Sequence, residues 1–509
     1  MATPDPASTT PFGEDVVPYQ LHVSSKYLKL TEEKLELTRL PRESSEPSPN
    51  VWWEPKPEIE ALVDFWLEEY SWRDEEDRLN AAVPQFRTQV LVPGSGSSVR
   101  IHFIHVRSPH SNAVPLLLIP PFPFANLTLT HLIPSFTDPD DASTQQPFHL
   151  VIPSFPGLGF SDALPSNTPV ISATAEAFDT VMRRLGYKQY IASNTSVTSN
   201  SPSEIDWKLS NNLAHNFPDS CLGVHLISPP LEPPRAQDAL INWIRWKLSS
   251  ITGRPRLGYT SEDISAFQKA KSTGRKSPNL QSIDFDIDKF RDPNVLSYAL
   301  CDSPVGLLIF VLMMLKLLGS TKELSPRQII TLAELIWLPG PEGTLRYWAN
   351  CISSGADEEK PRKPSARKPR VGITVFVGMN EAAAPPVVDP VQLKLAERSY
   401  ACPGWASARY EVVSTFRVFA KPELVAWDCP EVILDGTRSM VKVILASDRR
   451  MLKYSQPGGQ LPHPGVGGGE LGVSGTTAQA SSGVEISSTA NESPAPSPGE
   501  TKGKSVPAV

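Results

Sequence analysis

The hydrophobic pattern of the chain is clearest between residues 112 and 161, where two short apolar runs stand among proline-rich turns. The runs cover residues 114–119 and 148–152 and are rich in branched side chains. Runs of this kind are typical of strands that are buried on both faces, as in a parallel sheet covered by helices. Each run is followed by a turn dense in proline or glycine, at residues 120–124 and 156–159. Because ligands in open α/β sheets bind beyond the carboxyl ends of the strands, we expect the functional site at these turns.

The pattern predicts further strands and helices on both sides of this region. Residues 20–23 alternate like a strand, Thr31 offers an N-cap for a following helix, and residues 57–72 show helical spacing of apolar positions. Downstream, the predicted elements are helices at residues 173–185 and 206–217 and strands at residues 190–192, 224–227 and 371–378. Strands that alternate with helices predict an α/β fold with a mostly parallel central sheet and helices on both faces.

The longest apolar run, residues 305–315, predicts a buried helix. It is shorter than the ~20 residues that a membrane span needs, and Lys316 interrupts it. Asp302, Ser303 and Pro304 stand before it; Asp or Ser can cap a helix, and Pro suits its first turn. We therefore expect this segment to lie inside the molecule.

Composition narrows the class of protein. A chain of 509 residues with 40% hydrophobic residues predicts one large domain with additions. A net charge of −7 argues against a general nucleic-acid binder, because phosphate binding needs a clustered cationic surface. The five cysteines are scattered without a CxxC pair, which predicts neither a metal site nor a disulfide framework. The N-terminus lacks the basic and apolar regions of a signal peptide or membrane anchor, so we expect a cytoplasmic protein.

Three segments of the chain resemble one family. PSFPGLGFS at residues 153–161 follows an apolar strand and an aromatic-proline turn, YSWRDEEDRLNAAVPQF occupies residues 70–86, and PNVLSYALCDSPVGLL occupies residues 293–308. These segments resemble the microsomal-type epoxide hydrolases, a branch of the α/β-hydrolase fold with an N-terminal domain that wraps the catalytic domain and its helical lid. The resemblance implies hydrolysis of a small apolar epoxide to a diol through a covalent ester, without a cofactor.

The resemblance also implies an organisation of the chain into seven segments. We expect a disordered N-terminus, the N-terminal arm, the first half of the core, the helical lid, an exposed charged loop, the second half of the core and a Ser/Gly/Pro-rich tail, at residues 1–15, 16–110, 111–230, 231–350, 351–370, 371–454 and 455–509. The tail contains no aromatic residue and buries too little apolar surface to offset the entropy of ordering, so it is predicted to be disordered.

The family reaction places clear demands on side chains. An aspartate on a strand-to-helix elbow attacks the epoxide and forms the ester, and backbone N–H groups stabilise the oxyanion when that ester is hydrolysed. Two lid tyrosines donate hydrogen bonds to the oxirane oxygen, and a histidine–acid pair activates the hydrolytic water. Each of these positions can be matched to the sequence.

The nucleophile has two candidates. Thr195 stands where the elbow aspartate would be, and Val197 stands two places later, where glycine is usual and a β-branched residue fits badly. A Ser/Thr-rich insertion, residues 196–203, lengthens the connection, and Asp206 follows it at a predicted helix start. Asp206 either replaces the nucleophile or caps the helix. In the oxyanion turn the Phe122 N–H is retained, whereas the neighbouring prolines supply no donor.

The histidine–acid pair is matched poorly. No histidine lies between His225 and His463, so the expected base is missing, and no other side chain there exchanges protons readily near neutral pH. Glu381 lies near the position of the catalytic acid, and an exposed loop glutamate is the alternative interpretation.

The lid tyrosines are only half matched. Phe285 stands at the position of the first and has no hydroxyl. Tyr347, followed by Trp348, lies in or next to the position of the second. A packed structural tyrosine is the alternative interpretation, with Phe285 and Trp348 lining the pocket.

Three hypotheses remain open. The chain is an enzyme with rearranged residues, using Asp206 or Thr195 as nucleophile, Tyr347 as electrophile and a base other than histidine. Alternatively, it is a catalytically inactive pseudoenzyme that binds a small apolar ligand or a protein partner, or its functional part is the tail. Loss of a nucleophile or base costs several orders of magnitude in triad-type enzymes, which favours the pseudoenzyme. Shuffled catalytic residues on a shared fold favour the enzyme.

Overall fold

The computed structural model describes residues 15–42, 56–166, 168–198, 201–237, 239–255, 257–265, 293–320, 323–353, 368–377, 401–420 and 424–454. The predictions for residues 1–14, for most of the charged loop and for the tail lie outside these ranges.

A nine-stranded sheet forms the centre of the molecule, with the strand order β1-β2-β3-β5-β4-β6-β7-β8-β9. The strands are β1 (Val17–Tyr19), β2 (Gln85–Leu91), β3 (Ser98–Val106), β4 (Val114–Ile119), β5 (Phe148–Pro153), β6 (Tyr190–Asn194), β7 (Cys221–Ile227), β8 (Arg370–Phe376) and β9 (Glu411–Val418). Neighbours from β5 to β9 are parallel, whereas β1, β2 and β3 extend one edge in antiparallel pairs. The predicted α/β fold with a mostly parallel sheet is confirmed.

The central strands are buried on both faces, which is why they read as continuous apolar runs. Every residue of β4, β6 and β7 is buried. Leu117 and Ile119 of β4 belong to the apolar layer on one face of the sheet, and Leu116 and Leu118 belong to the layer on the other, as the alternation of side chains along a strand requires. The predicted strands from residue 114 onward correspond to β4, β5, β6, β7 and β8.

Helices cover both faces of the sheet. In chain order they are α1 (Ser25–Glu36), α2 (Lys56–Glu68), α3 (Trp72–Ala82), α4 (Ile133–Thr137), α5 (Val170–Arg184), α6 (Ile205–Asn216), α7 (Leu240–Thr252), α8 (Pro293–Asp302), α9 (Pro304–Leu318), α10 (Pro326–Trp337), α11 (Glu342–Ser353), α12 (Pro403–Ala406), α13 (Val425–Asp428) and α14 (Glu431–Ser447), with 3-10 helices at Asn126–Leu132, Pro202–Glu204 and Arg449–Tyr454. Phe178 of α5 and Leu209 of α6 pack in one layer, and Ile433 and Met440 of α14 pack in the other.

The strand predicted at residues 20–23 is wrong, since β1 lies just before it. The backbone at these residues is bonded to side chains instead of to a neighbouring strand. The Leu21 N–H donates to Asn80 Oδ1 at 2.8 Å, and the Val23 N–H donates to Glu76 Oε2 at 2.7 Å. Side chains of α3 therefore hold residues 20–23 against that helix.

The N-cap predicted at Thr31 is also wrong. Helix α1 begins earlier, after Ser24, whose hydroxyl accepts from Lys26 N. Thr31 lies inside α1, where its hydroxyl donates to Tyr27 O at 2.8 Å and accepts from the Trp337 indole at 2.8 Å. Thr31 thus ties the N-terminal arm to α10.

Helix α9 confirms the buried helix predicted from residues 305–315. Eleven of its fifteen residues are buried. Ser303 caps it by accepting from Gly306 N at 2.9 Å, and Pro304 occupies its first turn. In the described ranges no single helix is long and apolar enough to cross a membrane; α8 and α9 meet that criterion only together, across a bend of 117°.

Candidate functional site

The turns that follow β4 and β6 lie side by side at one edge of the sheet. Ile119, the last residue of β4, pairs with Asn194, the last residue of β6. The first strand leads directly into the turn that contains Phe122, and the second leads through residues 195–204 into α6. Because both strands run in the same direction, their carboxyl ends bring Phe122 and the first turn of α6 together.

Asp206 is the carboxyl at this junction. Its Oδ1 accepts a hydrogen bond from the Phe122 N–H at 3.2 Å, and its Oδ2 accepts one from the Ser196 hydroxyl. The Asn194 side-chain amide donates to the Asp206 carbonyl at 3.1 Å and fixes the start of α6 against the end of β6. The carboxyl therefore bonds across the junction, to the Phe122 amide and to the Ser196 hydroxyl.

Burial dominates the acid–base behaviour of Asp206. Its side chain is 1% exposed, and burial raises its pKa from 3.8 to about 7, against the opposing hydrogen bonds from Ser196 and Phe122. A carboxyl in such a site is a mixture of acid and carboxylate at neutral pH, so it can donate or accept a hydrogen bond.

Thr195 lies at the elbow position that the sequence indicated, but its hydroxyl has a structural partner. Its Oγ1 donates to the Ile119 carbonyl at 2.7 Å, and the residue is buried. The hydroxyl hydrogen is thus committed to a backbone oxygen of the neighbouring strand. A nucleophilic hydroxyl needs a base as partner, and a carbonyl oxygen cannot take that role.

The inserted connection reaches α6 through two strained residues. Ser203 and Glu204 have φ angles of 49° and 56°, in the left-handed region that side chains other than glycine rarely adopt. The Trp348 indole donates to the Ser203 hydroxyl at 2.8 Å, which ties the connection to the lid helix α11. Val197, which the sequence marked as a poor fit to a tight elbow, is buried in the longer connection.

Three aromatic side chains pack around the ring of Phe122, whose N–H contacts Asp206. The Phe122 ring lies 5.8 Å from Phe155, 5.8 Å from Tyr347 and 6.1 Å from Trp348, measured between ring centroids. Each of the four residues is at most 3% exposed. We call Phe122, Phe155, Tyr347 and Trp348 the aromatic cluster; it gives the junction an apolar surround.

Tyr347 lies beside the site, but its hydroxyl points to α5. It is 2.9 Å from Thr174 Oγ1, and the Thr174 hydroxyl donates its own hydrogen to the Val170 carbonyl at 2.6 Å. Because Thr174 has one hydroxyl hydrogen, Tyr347 is the donor in their shared bond. The hydrogen that a lid tyrosine would offer to an epoxide oxygen is used here within the protein.

Two predicted site residues, Phe285 and Glu381, lie outside the described residues. Their predicted roles therefore stay predictions.

The histidines of the described ranges all have hydrogen-bond partners away from Asp206. The pairs are His22 with Glu76, His102 with Gln85, His105 with Tyr187, His110 with Asp138, His131 with the Ala426 carbonyl, His149 with the Ser108 N–H, His215 with the Asn211 carbonyl and His225 with Ser193 and Thr374. His463 lies outside the described residues. Within the described ranges, the base that the family reaction needs is not paired with the carboxyl.

His225 belongs to a polar network buried between the sheet and α14. Its Nδ1 is 2.9 Å from Ser193 Oγ, its Nε2 is 2.8 Å from Thr374 Oγ1, and Thr437 Oγ1 donates to Ser193 Oγ at 3.0 Å. All four residues are fully buried, and burial lowers the pKa of His225 to about 3. The histidine is therefore neutral at physiological pH and joins three strands to α14.

Sequence reasoning missed the hydroxyls that complete the site. The Ser196 hydroxyl donates a hydrogen bond to the Asp206 carboxyl, and the Thr174 hydroxyl accepts one from the Tyr347 hydroxyl. The Ser/Thr-rich composition of the insertion was the available signal for Ser196. Thr174 gave no signal, because a helical threonine whose hydroxyl meets a lid residue is recognised only in three dimensions.

The fold and the site define a class of protein. A mostly parallel sheet, a carboxyl at a strand-to-helix junction facing a backbone amide, and a layer of helices over that junction are typical of an α/β-hydrolase fold. Comparison with known proteins narrows this class. The model of the "Epoxide hydrolase N terminus" family matches residues 16–129. Residues 16–129 therefore match the N-terminal domain of epoxide hydrolases, and the chain is similar to epoxide hydrolases over most of its length.

Relatives and solved structures agree with this assignment. Epoxide hydrolase 1 of Sus scrofa is 26% identical over 398 residues, which cover 73% of this chain and 78% of the relative. The juvenile hormone epoxide hydrolase of the silkworm Bombyx mori superposes with a TM-score of 0.65 at 19% identity, covering 85% of this chain and 96% of that one. The Aspergillus niger epoxide hydrolase gives a TM-score of 0.57 at 19% identity, covering 84% and 97%. At these identities the structural likeness shows the fold.

Proposed function

We propose that this chain is an epoxide hydrolase homologue that does not convert epoxides to diols and instead binds a small apolar molecule at Asp206 and the aromatic cluster. One observation carries the proposal. The buried Asp206 carboxyl is held by the Phe122 amide and the Ser196 hydroxyl, while each described histidine bonds elsewhere. A carboxyl thus remains at the junction, and no histidine of the described residues bonds to it.

Among the described residues, each half of the family reaction lacks its expected partner. Opening an epoxide leaves an alkoxide that needs a proton, and Tyr347 donates its hydroxyl hydrogen to Thr174. Hydrolysis of the resulting ester needs water activated by a base, and none of the described histidines bonds to Asp206. Because groups that act as a unit lose most of their effect when one is removed, the expected loss is several orders of magnitude in turnover.

Binding needs less from the site than turnover does. The aromatic cluster supplies apolar surface, and aromatic side chains contribute large contact areas. A carboxyl whose pKa is about 7 can donate a hydrogen bond to an ether, carbonyl or hydroxyl oxygen when it is protonated. The ligand that fits this chemistry is a small apolar molecule with one hydrogen-bond acceptor.

The proposal predicts a binding constant that depends on pH. Calorimetric titration with styrene oxide should give saturable binding below pH 7, with affinity that falls about tenfold per pH unit above it, as the donor ionises. Asp206→Asn keeps an N–H donor without an ionisable group, so its affinity should be independent of pH. Asp141→Asn, which changes an exposed carboxyl, is the matched control and should behave like the wild type. Absence of saturable binding to the wild type would contradict the proposal.

A second candidate is covalent capture, which the contact between Asp206 Oδ1 and the Phe122 N–H favours. The carboxylate oxygen would form a bond to an epoxide carbon, the epoxide C–O bond would break, and the alkoxide would take a proton from water. Without an activated water the ester would persist. Intact-protein mass spectrometry would then find one added epoxide mass on the wild type and none on Asp206→Asn.

A further inference from the structure

Helix α7 turns an apolar face to solvent. Five aliphatic residues of this helix are between 42% and 79% exposed. They are Leu240, Ile241, Ile244, Leu248 and Ile251. At about 100° of rotation per residue, all five fall within an arc of about 100°. We call this arc the apolar stripe; contiguous exposed apolar surface of this kind is uncommon on soluble monomers and marks an interaction site.

The opposite side of α7 anchors the helix to the protein. Ser249 is buried, and Trp246 packs against the cluster formed by Tyr259, Ile264 and Cys402. The apolar stripe is therefore not a core face of α7. In α9, by contrast, the apolar residues are largely buried.

Cations flank the apolar stripe. Lys247 lies next to one edge, with Nζ 4.6 Å from the Trp246 ring centroid, and Arg245 lies next to the other edge. Arg254 is exposed just beyond the end of the helix. Helix α7 contains no aspartate or glutamate, and no ion pair joins Arg245, Lys247 or Arg254 to another described residue. The edges of the stripe are thus positive.

A small cavity opens at the Arg245 edge. Its volume is about 270 Å³, and its lining includes Asn242, Arg245, Leu257, Thr260, Thr415 and Arg417. Arg417 is bonded to the buried Asp263 at 3.2 Å, so among the described residues Arg245 is the lining cation without an ion-pair partner. Leu257, which is half exposed, continues the apolar surface to the mouth of the cavity. The cavity has the size and donors for a phosphate-bearing group.

We propose that α7 docks on an anionic lipid surface, with the apolar stripe among the acyl chains and a head-group phosphate in the Arg245 cavity. A helix with a wide apolar face bordered by Lys and Arg lies in the plane of a bilayer interface, and its affinity grows with buried apolar area and with attraction to anionic lipids. Because the edges of the stripe are positive and α7 carries no acid, an anionic surface should bind more tightly than an uncharged or a basic one.

Vesicle flotation of the full chain tests the proposal. The chain should float with phosphatidylcholine vesicles that contain phosphatidylserine and should bind weakly to pure phosphatidylcholine vesicles. The double variant Ile241→Ser/Ile251→Ser should lose at least about tenfold in partitioning, because two exposed aliphatics no longer insert. Arg245→Gln should lose about fivefold, and the loss should shrink at high salt.

A matched control separates the stripe from general surface hydrophobicity. Val295 and Tyr298 are 61% and 79% exposed on α8, and Val295→Ser/Tyr298→Ser should float like the wild type. Three results would overturn the proposal: no flotation with anionic vesicles, equal loss in both double variants, or concentration-dependent dimerisation that Ile241→Ser/Ile251→Ser abolishes.

A label on the stripe tests whether another part of the chain covers it. An environment-sensitive dye on Ile251→Cys, in a background in which the native cysteines are replaced by serine or alanine, should report an apolar surround only when anionic vesicles are added. A signal that is already apolar in the vesicle-free monomer would mean that another segment of this chain covers the stripe, and would likewise overturn the proposal.

Discussion

Asp206 is a carboxyl that folding makes difficult to ionise. Burial raises its pKa from 3.8 to about 7, so the folded state favours the protonated form. The stability that this contributes is fully present below pH 3.8 and is lost as the pH rises through 7. Glu334, whose pKa burial raises from 4.5 to about 8, acts in the same direction.

The first prediction concerns the pH dependence of stability. Asp206→Asn should flatten the fall of the free energy of unfolding between about pH 4 and 7, by up to ~1.4 kcal/mol per pH unit. Urea denaturation at several pH values measures it, and Asp141→Asn serves as the exposed control. An unchanged slope in Asp206→Asn would mean that the carboxyl is solvated.

The second prediction concerns Gly436 of α14. A Cβ at this position would lie 2.2 Å from His225 Nε2 and 2.5 Å from Thr374 Oγ1. Because both groups are buried and bonded to each other, neither can yield, and Gly436→Ala should cost about 1–3 kcal/mol. Denaturant unfolding measures the cost, and Lys442→Ala, on the exposed side of α14, should be near neutral. Equal stabilities of these two variants would contradict the described packing.

At this scale the sequence indicates which residues matter but not how they pair. Phe122 and Asp206 could be singled out because the turn and the helix start carry recognisable signals. Their direct contact depends on how the inserted residues 196–203 fold, including the left-handed Ser203, and no local pattern encodes that path. The bond from Tyr347 to Thr174 is likewise a tertiary contact.

Among the elements, the buried strands were predictable and the N-terminal ones were not. Strands β4 and β6 are apolar throughout because both faces are covered, which leaves a direct trace in the sequence. The stretch before α1 was mistaken for a strand because Leu21 and Val23 are buried in alternation. Their N–H groups bond to side chains of α3, and alternation alone cannot distinguish that arrangement from a ladder.

The third prediction concerns the contact between the lid helix α11 and the turn after β5. A Cβ on Gly343 would lie 2.1 Å from the Gly157 carbonyl oxygen. Because this contact is to backbone, Gly343→Ala should displace α11, costing about 1–3 kcal/mol and increasing hydrogen exchange in that helix. Gly306→Ala, in the first turn of α9 with its nearest atoms at 3.1 Å, is the matched control and should cost less. Unchanged exchange in α11 would contradict the contact.

At the scale of the whole molecule, hydrogen bonds join the N-terminal helices α1 and α2 to helix α10. The Trp66 indole of α2 donates to Glu334 Oε1 of α10 at 2.9 Å, and the Trp337 indole donates to Thr31 Oγ1 at 2.8 Å. Both bonds are buried. The acceptor of the first bond, Glu334, can ionise, whereas the acceptor of the second, Thr31, cannot. Removing the two donors should therefore change the stability with different dependence on pH.

The fourth prediction follows from that difference. Trp66→Phe removes the donor that lowers the pKa of Glu334, so its cost of about 1–3 kcal/mol should grow as the pH rises through 8. Trp337→Phe should cost about 1 kcal/mol at every pH. Thermal or urea unfolding across this range measures both. A cost for Trp66→Phe that does not depend on pH would show that Glu334 is not the partner that matters.

The α/β fold of the whole molecule could be predicted from a few turns and helix starts. These motifs lie where strands of the sheet end and where helices begin. The sequence also shows that no histidine lies between His225 and His463, which is the basis for doubting a hydrolytic cycle. The position of the remaining carboxyl could not be predicted, since Asp206 reaches the Phe122 amide only through an insertion whose backbone path is set by packing against Trp348.

The central claim is that the fold of an epoxide hydrolase persists here without its hydrolytic cycle. The most direct measurement is the rate at which the purified full chain forms diol from styrene oxide, compared with the reaction in buffer. We predict no diol above the buffer rate, for the wild type and for Asp206→Asn alike. Diol formation by the wild type that Asp206→Asn abolishes would contradict the claim.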